Sequence, residues 1–294
     1  MFSNKTVFFD TPFAKINLNL RLIGKRRDGY HNLDTVFYRV NLCDQLLLIK
    51  QPRGFSLECS EPTLSGTSNL IYTAFRLLQK KIRKKLGVSV LLHKQIPMQA
   101  GLGGGSSDAA SFLRGMNRLH RLGLSNTQLR QIGGQLGADV PFFVTNWSAA
   151  RGTGRGDIMR KLSLNKDLYV VLVTFSRGLS TKKVFERYKY GPFLPKLTKV
   201  SADATMLSSY FEHYRLGALS KLLKNDLKPF AVKEYPSILQ VLKKMQEAGI
   251  RACSMSGSGP TVFGIVKSHS AARRVQAKLQ MRLRGCQIWI TSGI

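Results

Sequence analysis

The sequence predicts an α+β protein of two domains, and three observations support that expectation. Strand patterns occupy the region up to residue 50, a strand, a glycine-rich loop and a helix follow one another near residue 100, and a β-rich pattern restarts beyond residue 160. A chain of 294 residues, 43% of them hydrophobic, exceeds one typical compact unit and carries enough apolar material for two cores. The boundary is set near residue 160, giving an N-terminal domain of residues 1–160 and a C-terminal domain of residues 161–294.

From Phe13 to Ile23 the residues alternate. Ala14, Ile16, Leu18, Leu20 and Leu22 fall on one face and Lys15, Asn17, Asn19 and Arg21 on the other, the pattern of a half-buried strand. A turn signal spans Gly24 to Gly29, after which Val36–Val40 and Leu46–Ile49 read as strands. Asn69 to Lys85 has helical spacing, with Leu70, Ala74, Leu77, Leu78 and Ile82 as the apolar stripe and Gly87 as the stop. Val88–Leu92 is a strand, and beyond the glycine loop Ala109, Ala110, Phe112, Leu113 and Met116 recur at helical spacing, with Ser106 or Ser107 as the N-cap. Another helix is expected from Ser125 to Gln135. In the second half, strands at Leu168–Thr174, Thr261–Val266 and Gln287–Ile290 and helices near 181–187, 216–223, 236–248 and 271–283 predict an α+β sandwich.

Lys and Arg number 46 against 16 Asp and Glu, a formal charge of +30 that favours phosphate-bearing partners. The cations are scattered through helices and strands, with only short runs such as Lys80-Lys81-Ile82-Arg83-Lys84-Lys85, so they read as a solvated basic surface and no nucleic-acid partner is expected. A basic nucleic-acid-binding protein is the rival reading; it requires a steep salt dependence of binding and no ATP turnover. Four cysteines stand far apart with no CxxC pair, so neither a disulfide framework nor a zinc site is indicated, and no protein metal-ligand cluster is visible. Met1-Phe2-Ser3-Asn4-Lys5 leads to Asp10 and Pro12 before any long apolar run, unlike a secretory leader. The apolar run Leu168–Phe175 is too short to span a bilayer. A cytoplasmic protein with no membrane partner is therefore expected.

The segment Pro97-Met98-Gln99-Ala100-Gly101-Leu102-Gly103-Gly104-Gly105-Ser106-Ser107 carries the chemistry. Four glycines among the five residues 101–105, with two serines following, leave backbone N–H groups unshielded at a helix start. The helix dipole adds about half a positive charge there, so the segment reads as a phosphate cradle. It is neither a GxxxxGK[ST] loop nor a dinucleotide fingerprint, and no VAIK, HRD or DFG set accompanies it.

Pro97-x-x-x-Gly101-Leu102-Gly103-Gly104-Gly105-Ser106-Ser107-Asp108-Ala109-Ala110 resembles the second signature of the GHMP small-molecule kinases, whose members include galactose, homoserine and mevalonate kinases. Pro12-Phe13-Ala14-Lys15-Ile16-Asn17-Leu18, Asp28-Gly29-Tyr30-His31-Asn32-Leu33, Leu136-Gly137-Ala138-Asp139-Val140-Pro141 and Ser256-Gly257-Ser258-Gly259-Pro260-Thr261 extend the resemblance, in order, over nearly the whole chain. Together they look like the branch that acts on a cytidine-diphosphate-linked sugar alcohol. The resemblance implies an N-terminal ribosomal-protein-like β-α domain and a C-terminal ferredoxin-like α/β sandwich. It also implies transfer of the γ-phosphoryl group of ATP to the 2-hydroxyl of a methylerythritol unit, in non-mevalonate isoprenoid precursor synthesis. Another GHMP kinase is the alternative within the family.

The same resemblance assigns roles. Lys15 and Asp139 match the catalytic pair, the carboxylate accepting or orienting the hydroxyl proton and the ammonium stabilising charge. Tyr30, His31, Phe37 and Phe185 match the cytidine end, with Asn17 and Thr181 as further substrate contacts. Asn69 and Lys94 match the ATP side, with residues Pro97 to Ser107 as the phosphate loop. Mg2+ is expected to accompany ATP, held mainly by phosphates and water, with Ser106 or Ser107 as the hydroxyl that reaches it. Arg151-Gly152-Thr153-Gly154-Arg155-Gly156-Asp157 matches a further family segment in which the last position is usually glutamate; here it is Asp157.

Overall fold

The computed structural model describes residues 6–164, 168–189, 206–207, 209–211, 213 and 215–294. Along the chain the strands and helices begin with β1 (Val7–Asp10), β2 (Phe13–Lys25), β3 (His31–Cys43), β4 (Gln45–Gln51), β5 (Gly54–Cys59), α1 (Leu70–Ile82) and β6 (Gly87–His93). They continue with α2 (Gly104–Leu119), α3 (Asn126–Leu136), α4 (Val140–Val144), β7 (Ala149–Gly154), β8 (Ile158–Leu162), β9 (Tyr169–Phe175) and α5 (Thr181–Lys189). The last are α6 (Leu216–Leu219), α7 (Lys228–Glu234), α8 (Ser237–Glu247), β10 (Ala252–Met255), β11 (Val262–Val266), α9 (His269–Gln280) and β12 (Cys286–Ser292). This is the mixed helix and sheet content of an α+β fold.

By contacts the chain forms two compact units. One comprises Met1–Ala14, Leu42–Ile96 and Gly103–Asn146, the other Lys15–Asn41, Pro97–Leu102 and Trp147–Ile294. In the first, a sheet of order β1-β4-β6-β5 is antiparallel except for the parallel β5–β6 pair, and Val90 of β6 lies opposite Leu48 on one side and Leu57 on the other. Helix α1 buries Ile71, Ala74, Phe75 and Leu78. The rings of Phe55, Phe75 and Phe112 meet at 4.9 to 6.5 Å, joining β5, α1 and α2 in one core. The second unit has two sheets, β2-β3-β7-β8 and β10-β11-β9-β12. Its core gathers Val171 and Val173 of β9, Val262 of β11, Ile238, Val241 and Met245 of α8, and Leu279 of α9, together with Leu20 and Leu22 of β2.

Several local expectations need correction. Helix α1 ends at Ile82 and is closed by Arg83 in the left-handed region (φ 52°), while Gly87 opens β6 opposite Gln51 and Gly54. Leu77 and Ile82 are only half-buried, so the buried stripe is rotated toward Ile71 and Phe75. Strand β2 is not half-buried: Lys15, Asn17 and Asn19 are as buried as Leu18, because the polar face meets hydrogen-bonding partners. Near 216–223 the helix is the single turn α6. Strands β1, β5, β7 and β8 have no counterpart in the periodicity, the glycine-rich 151–156 run proving to be β7 and its turn.

Candidate active site

The loop from Pro97 to Ser107 takes its shape from where its carbonyls go. Gln99 O accepts from Leu179 N at 2.9 Å, Ala100 O from Thr261 N at 3.4 Å, Gly101 O from the Ser256 hydroxyl at 2.9 Å and Leu102 O from Lys15 N at 2.9 Å. A trans peptide opposes its C=O to the next N–H, so the N–H groups of Ala100, Gly101, Leu102 and Gly103 are turned away from those partners. Glycine is required at position 101, where φ is 75° and a Cβ would stand 2.3 Å from the Ser256 carbonyl.

Helix α2 begins earlier than expected. Gly103, at φ 72°, is its N-cap and Gly104 its first residue, so neither Ser106 nor Ser107 caps it. A left-handed cap favours glycine over serine, whose capping geometry is extended. Ser107 N closes the first helical bond on Gly103 O at 2.9 Å, which leaves the N–H groups of Gly104, Gly105 and Ser106 ahead of the ladder at the positive end of the dipole. Of the two serines, Ser107 is buried and Ser106 half-buried.

Lys94 lies beneath this turn. Its Nζ bonds Asp44 Oδ2 and, at 2.7 Å, Asp108 Oδ2, and a Cβ on Gly104 would come within 3.3 Å of it. Asp44, fully buried, also accepts Gln95 N at 2.6 Å and Ile96 N at 2.8 Å through Oδ1. One ammonium serves two buried carboxylates. Burial, opposed by Lys94 and reinforced by the Asp44 charge, raises the Asp108 pKa above the usual carboxylate range, and Asp108 Oδ1 is buried without a partner. Asn69 is the N-cap of α1, accepting from Ile71 N at 2.9 Å and donating to Leu64 O at 2.9 Å. Asp139 is the N-cap residue of α4, and its carbonyl accepts Phe142 N at 3.2 Å.

In the other unit, Lys15 Nζ donates to Asn17 Oδ1 at 2.6 Å, Asn17 Nδ2 to Thr35 Oγ1 at 2.8 Å, and Thr35 Oγ1 to Asn19 O at 2.6 Å. The Lys15 ammonium also lies 5.5 Å from the centre of the Phe37 ring, so buried Phe37 packs under the lysine. Asn17 N donates to the Ser256 hydroxyl at 3.2 Å. The Ser256 turn is held by Asn225, whose Nδ2 donates to Met255 O and Gly257 O, each at 2.8 Å. Thr181 Oγ1 and Ser258 Oγ are 2.7 Å apart.

A separate aromatic cluster forms at the start of β3. His31 stacks on Phe185 at 5.7 Å and meets Tyr188 edge-on at 4.9 Å. Burial, with a smaller contribution from Lys25, lowers the His31 pKa, so its ring is held neutral near pH 7. Tyr30 stays exposed, with the Arg155 guanidinium 5.2 Å from its ring centre. The structure thus brings together Lys15, Asn17 and Phe37 in one group and His31 and Phe185 in another. Tyr188 and Asn225 escaped the sequence reading; an aromatic one helical turn beyond Phe185 was the available signal for the first, and Asn225, in a turn between apolar runs, offered none. Among the described residues no group of three or more His, Cys, Asp or Glu is arranged to hold a metal, and no helix is long and apolar enough to cross a membrane.

Comparison with known proteins gives this geometry a context. The GHMP kinases N terminal domain matches residues 69–146 and the GHMP kinases C terminal matches residues 208–284, so the chain has the fold of the GHMP class and is an ATP-dependent kinase. It is 38% identical to 4-diphosphocytidyl-2-C-methyl-D-erythritol kinase of Citrifermentans bemidjiense, covering 96% of both chains. It is also 38% identical to the Moorella thermoacetica protein of the same name, covering 91% of this chain and 93% of that one. A crystal structure of 4-(cytidine 5'-diphospho)-2C-methyl-D-erythritol kinase superposes with TM-score 0.77 at 29% identity over 97% of this chain and 99% of its own. Homoserine kinase from Cytophaga hutchinsonii, at 16% identity and TM-score 0.74 over 100% of this chain and 97% of that one, shares the fold. The chain belongs to the 4-diphosphocytidyl-2-C-methyl-D-erythritol kinase family.

Proposed function

We propose that this kinase transfers the γ-phosphoryl group of ATP to the 2-hydroxyl of 4-diphosphocytidyl-2-C-methyl-D-erythritol, leaving the cytidine diphosphate intact and releasing ADP. The observation that carries the reading is the bond from Lys15 N to Leu102 O at 2.9 Å, which ties the lysine to the phosphate loop in a chain with close relatives of this name. Lys15 and Asp139 are the catalytic pair in this reading. Asp139 orients the attacking hydroxyl and takes its proton, a task that a loose phosphoryl-transfer transition state makes more one of positioning than of basicity. Lys15, oriented by Asn17, stabilises charge on the transferred group.

The segment 97–107 receives the phosphates through its N–H groups and the α2 dipole. Asn69 and Lys94 stay on the ATP side; because Lys94 Nζ is engaged by Asp44 and Asp108, its contribution comes through main chain and position. Mg2+ would be carried mainly by the phosphates and water, with the half-buried Ser106 hydroxyl rather than buried Ser107 as the protein group within reach, and would supply charge neutralisation. His31, Phe185 and Tyr30 take the cytosine, with Asn17 and Thr181 on the sugar alcohol; Phe37, expected at the cytidine end, is buried beneath Lys15 and is given the role of supporting that lysine instead. The domain boundary is placed near residue 160 along the chain, although residues 15–41, 97–102 and 147–160 pack in the compact unit that also holds the C-terminal half; the protein is placed in the cytoplasm, with no nucleic-acid or membrane partner.

Purified protein with Mg-ATP is to be supplied in turn with the diphosphocytidyl substrate, homoserine, mevalonate and galactose. ADP release with the first alone, together with a new phosphomonoester phosphorus resonance beside an unchanged diphosphate, is the expected result. Turnover of another alcohol without the first leaves only the GHMP class standing.

A further inference from the structure

The turn between β2 and β3 presents an aromatic ring to solvent on a firmly held backbone. Tyr30 is 58% exposed. Its N–H donates to Asp28 Oδ1 at 3.1 Å and its carbonyl accepts Arg26 N at 2.8 Å. Arg26 in turn grips both Asp28 oxygens through Nε, at 3.1 and 3.0 Å, and reaches Asn32 Oδ1 through Nη1 at 3.1 Å. The backbone is thereby fixed, but the ring torsions are not.

What orients the ring comes from another hairpin. The β3–β7 register pairs Leu33 with Gly154, and β7–β8 pairs Thr153 with Ile158, so the two turns lie at the same end of the sheet. From the second turn, Arg155 lays its guanidinium over one face of Tyr30. Arg155 is itself constrained: Asp157 Oδ1 accepts its backbone N–H at 3.1 Å, and Oδ2 accepts Nε at 3.2 Å and Nη2 at 3.0 Å. One carboxylate thus sets both main chain and side chain of the residue two positions before it, and the guanidinium plane has little freedom left.

A planar cation on one face of an exposed ring leaves the opposite face as a ready stacking surface. A ring that must be ordered on binding loses part of its stacking energy to rotamer entropy, and one ordered beforehand keeps it. We propose that Arg155, held by Asp157, is a positioning residue for Tyr30, and that this pair on the β7–β8 turn sets the affinity for the pyrimidine end of the substrate. The inference rests on the reading that Tyr30 meets the cytosine.

The test combines equilibrium binding of CDP alone with steady-state kinetics of the full reaction. Arg155→Ala is expected to weaken CDP binding and raise the KM for the cytidyl substrate about two- to fivefold, the size of one exposed cation–π contact, with the change on KM rather than kcat and the KM for ATP unaltered. Arg155→Lys keeps a cation over the ring and recovers part of the loss, and Asp157→Asn falls between. In a Tyr30→Ala background Arg155→Ala adds nothing further. An undiminished Arg155→Ala effect in that background, or an unchanged CDP affinity in the single variant, overturns the proposal. If the wild-type protein turns over the cytidyl substrate while the Arg155 variants behave like it, only this inference falls. If the wild type neither binds CDP nor releases ADP, the functional reading falls and takes the inference with it.

Discussion

The hydroxyl of Ser256 donates to the carbonyl of Gly101 at 2.9 Å. The same oxygen accepts the backbone N–H of Asn17 at 3.2 Å, and Ser256 is fully buried. One side chain therefore satisfies the 97–107 loop and the strand that carries Lys15. Ser256→Ala leaves a half-buried carbonyl and a buried N–H unpaired, and the buried N–H alone costs about 1–3 kcal/mol. Denaturant unfolding should show that loss, and the KM for ATP should rise as the Gly101 peptide loses its orientation. Wild-type stability with wild-type KM would remove Ser256 from this role.

Lys15 and Asn17 form the next testable pair. Lys15→Met and Asp139→Asn are each expected to lower kcat by about 10²-fold or more, the range for removing a group that acts on the transferring proton or the developing charge. Asn17→Ala keeps the ammonium but removes its 2.6 Å acceptor, and a smaller fall of about tenfold in kcat is expected from misplacement alone. Circular dichroism and thermal melts on the same samples separate chemistry from folding. Near wild-type kcat in Lys15→Met would exclude the lysine from the reaction.

The second motif was legible because it is contiguous: glycines at 101 and 103–105 ahead of an apolar helical pattern can be read without knowing the fold. Alternation likewise located β2, but periodicity records side-chain chemistry and not whether a polar face finds partners. It therefore missed the burial of Lys15, Asn17 and Asn19, whose partners include Thr35 and Val36 of β3. The start of α2 lies beyond side-chain capping signals, because Gly103 opens it through backbone conformation and leaves no capping side chain to recognise. Lys94 reads in the sequence as a cation near the ATP side. Its carboxylates lie 50 residues before it and 14 after it, a separation only the folded chain resolves.

That buried triad makes its own prediction. Lys94→Met leaves Asp44 and Asp108 without their shared cation, and removing one partner from a buried ionic group costs about 3–5 kcal/mol. Adding Asp108→Asn to Lys94→Met removes one of the uncompensated charges and should restore part of the stability, a non-additivity that a double-mutant cycle reads directly. Simple additivity of the two losses would show that Lys94 and Asp108 do not act as a unit. Because Lys94 underlies Gly104, the KM for ATP should follow the same order among variants that fold.

His31 provides the pH dependence. Burial, aided by the charge of Lys25, depresses its pKa in the folded protein, so as pH falls the unfolded chain takes up this proton first. The stability linked to a neutral His31 is complete above the unfolded value of about 6.5 and is lost as pH falls from there toward the depressed folded value. The neutral ring can both donate and accept a hydrogen bond, as the proposed role at a cytosine edge requires. Lowering the pH through that window should therefore reduce Tm and raise the KM for the cytidyl substrate, while the KM for ATP stays level. His31→Gln, which cannot titrate there, should flatten both profiles; an unchanged KM profile in that variant would assign the pH dependence to another group.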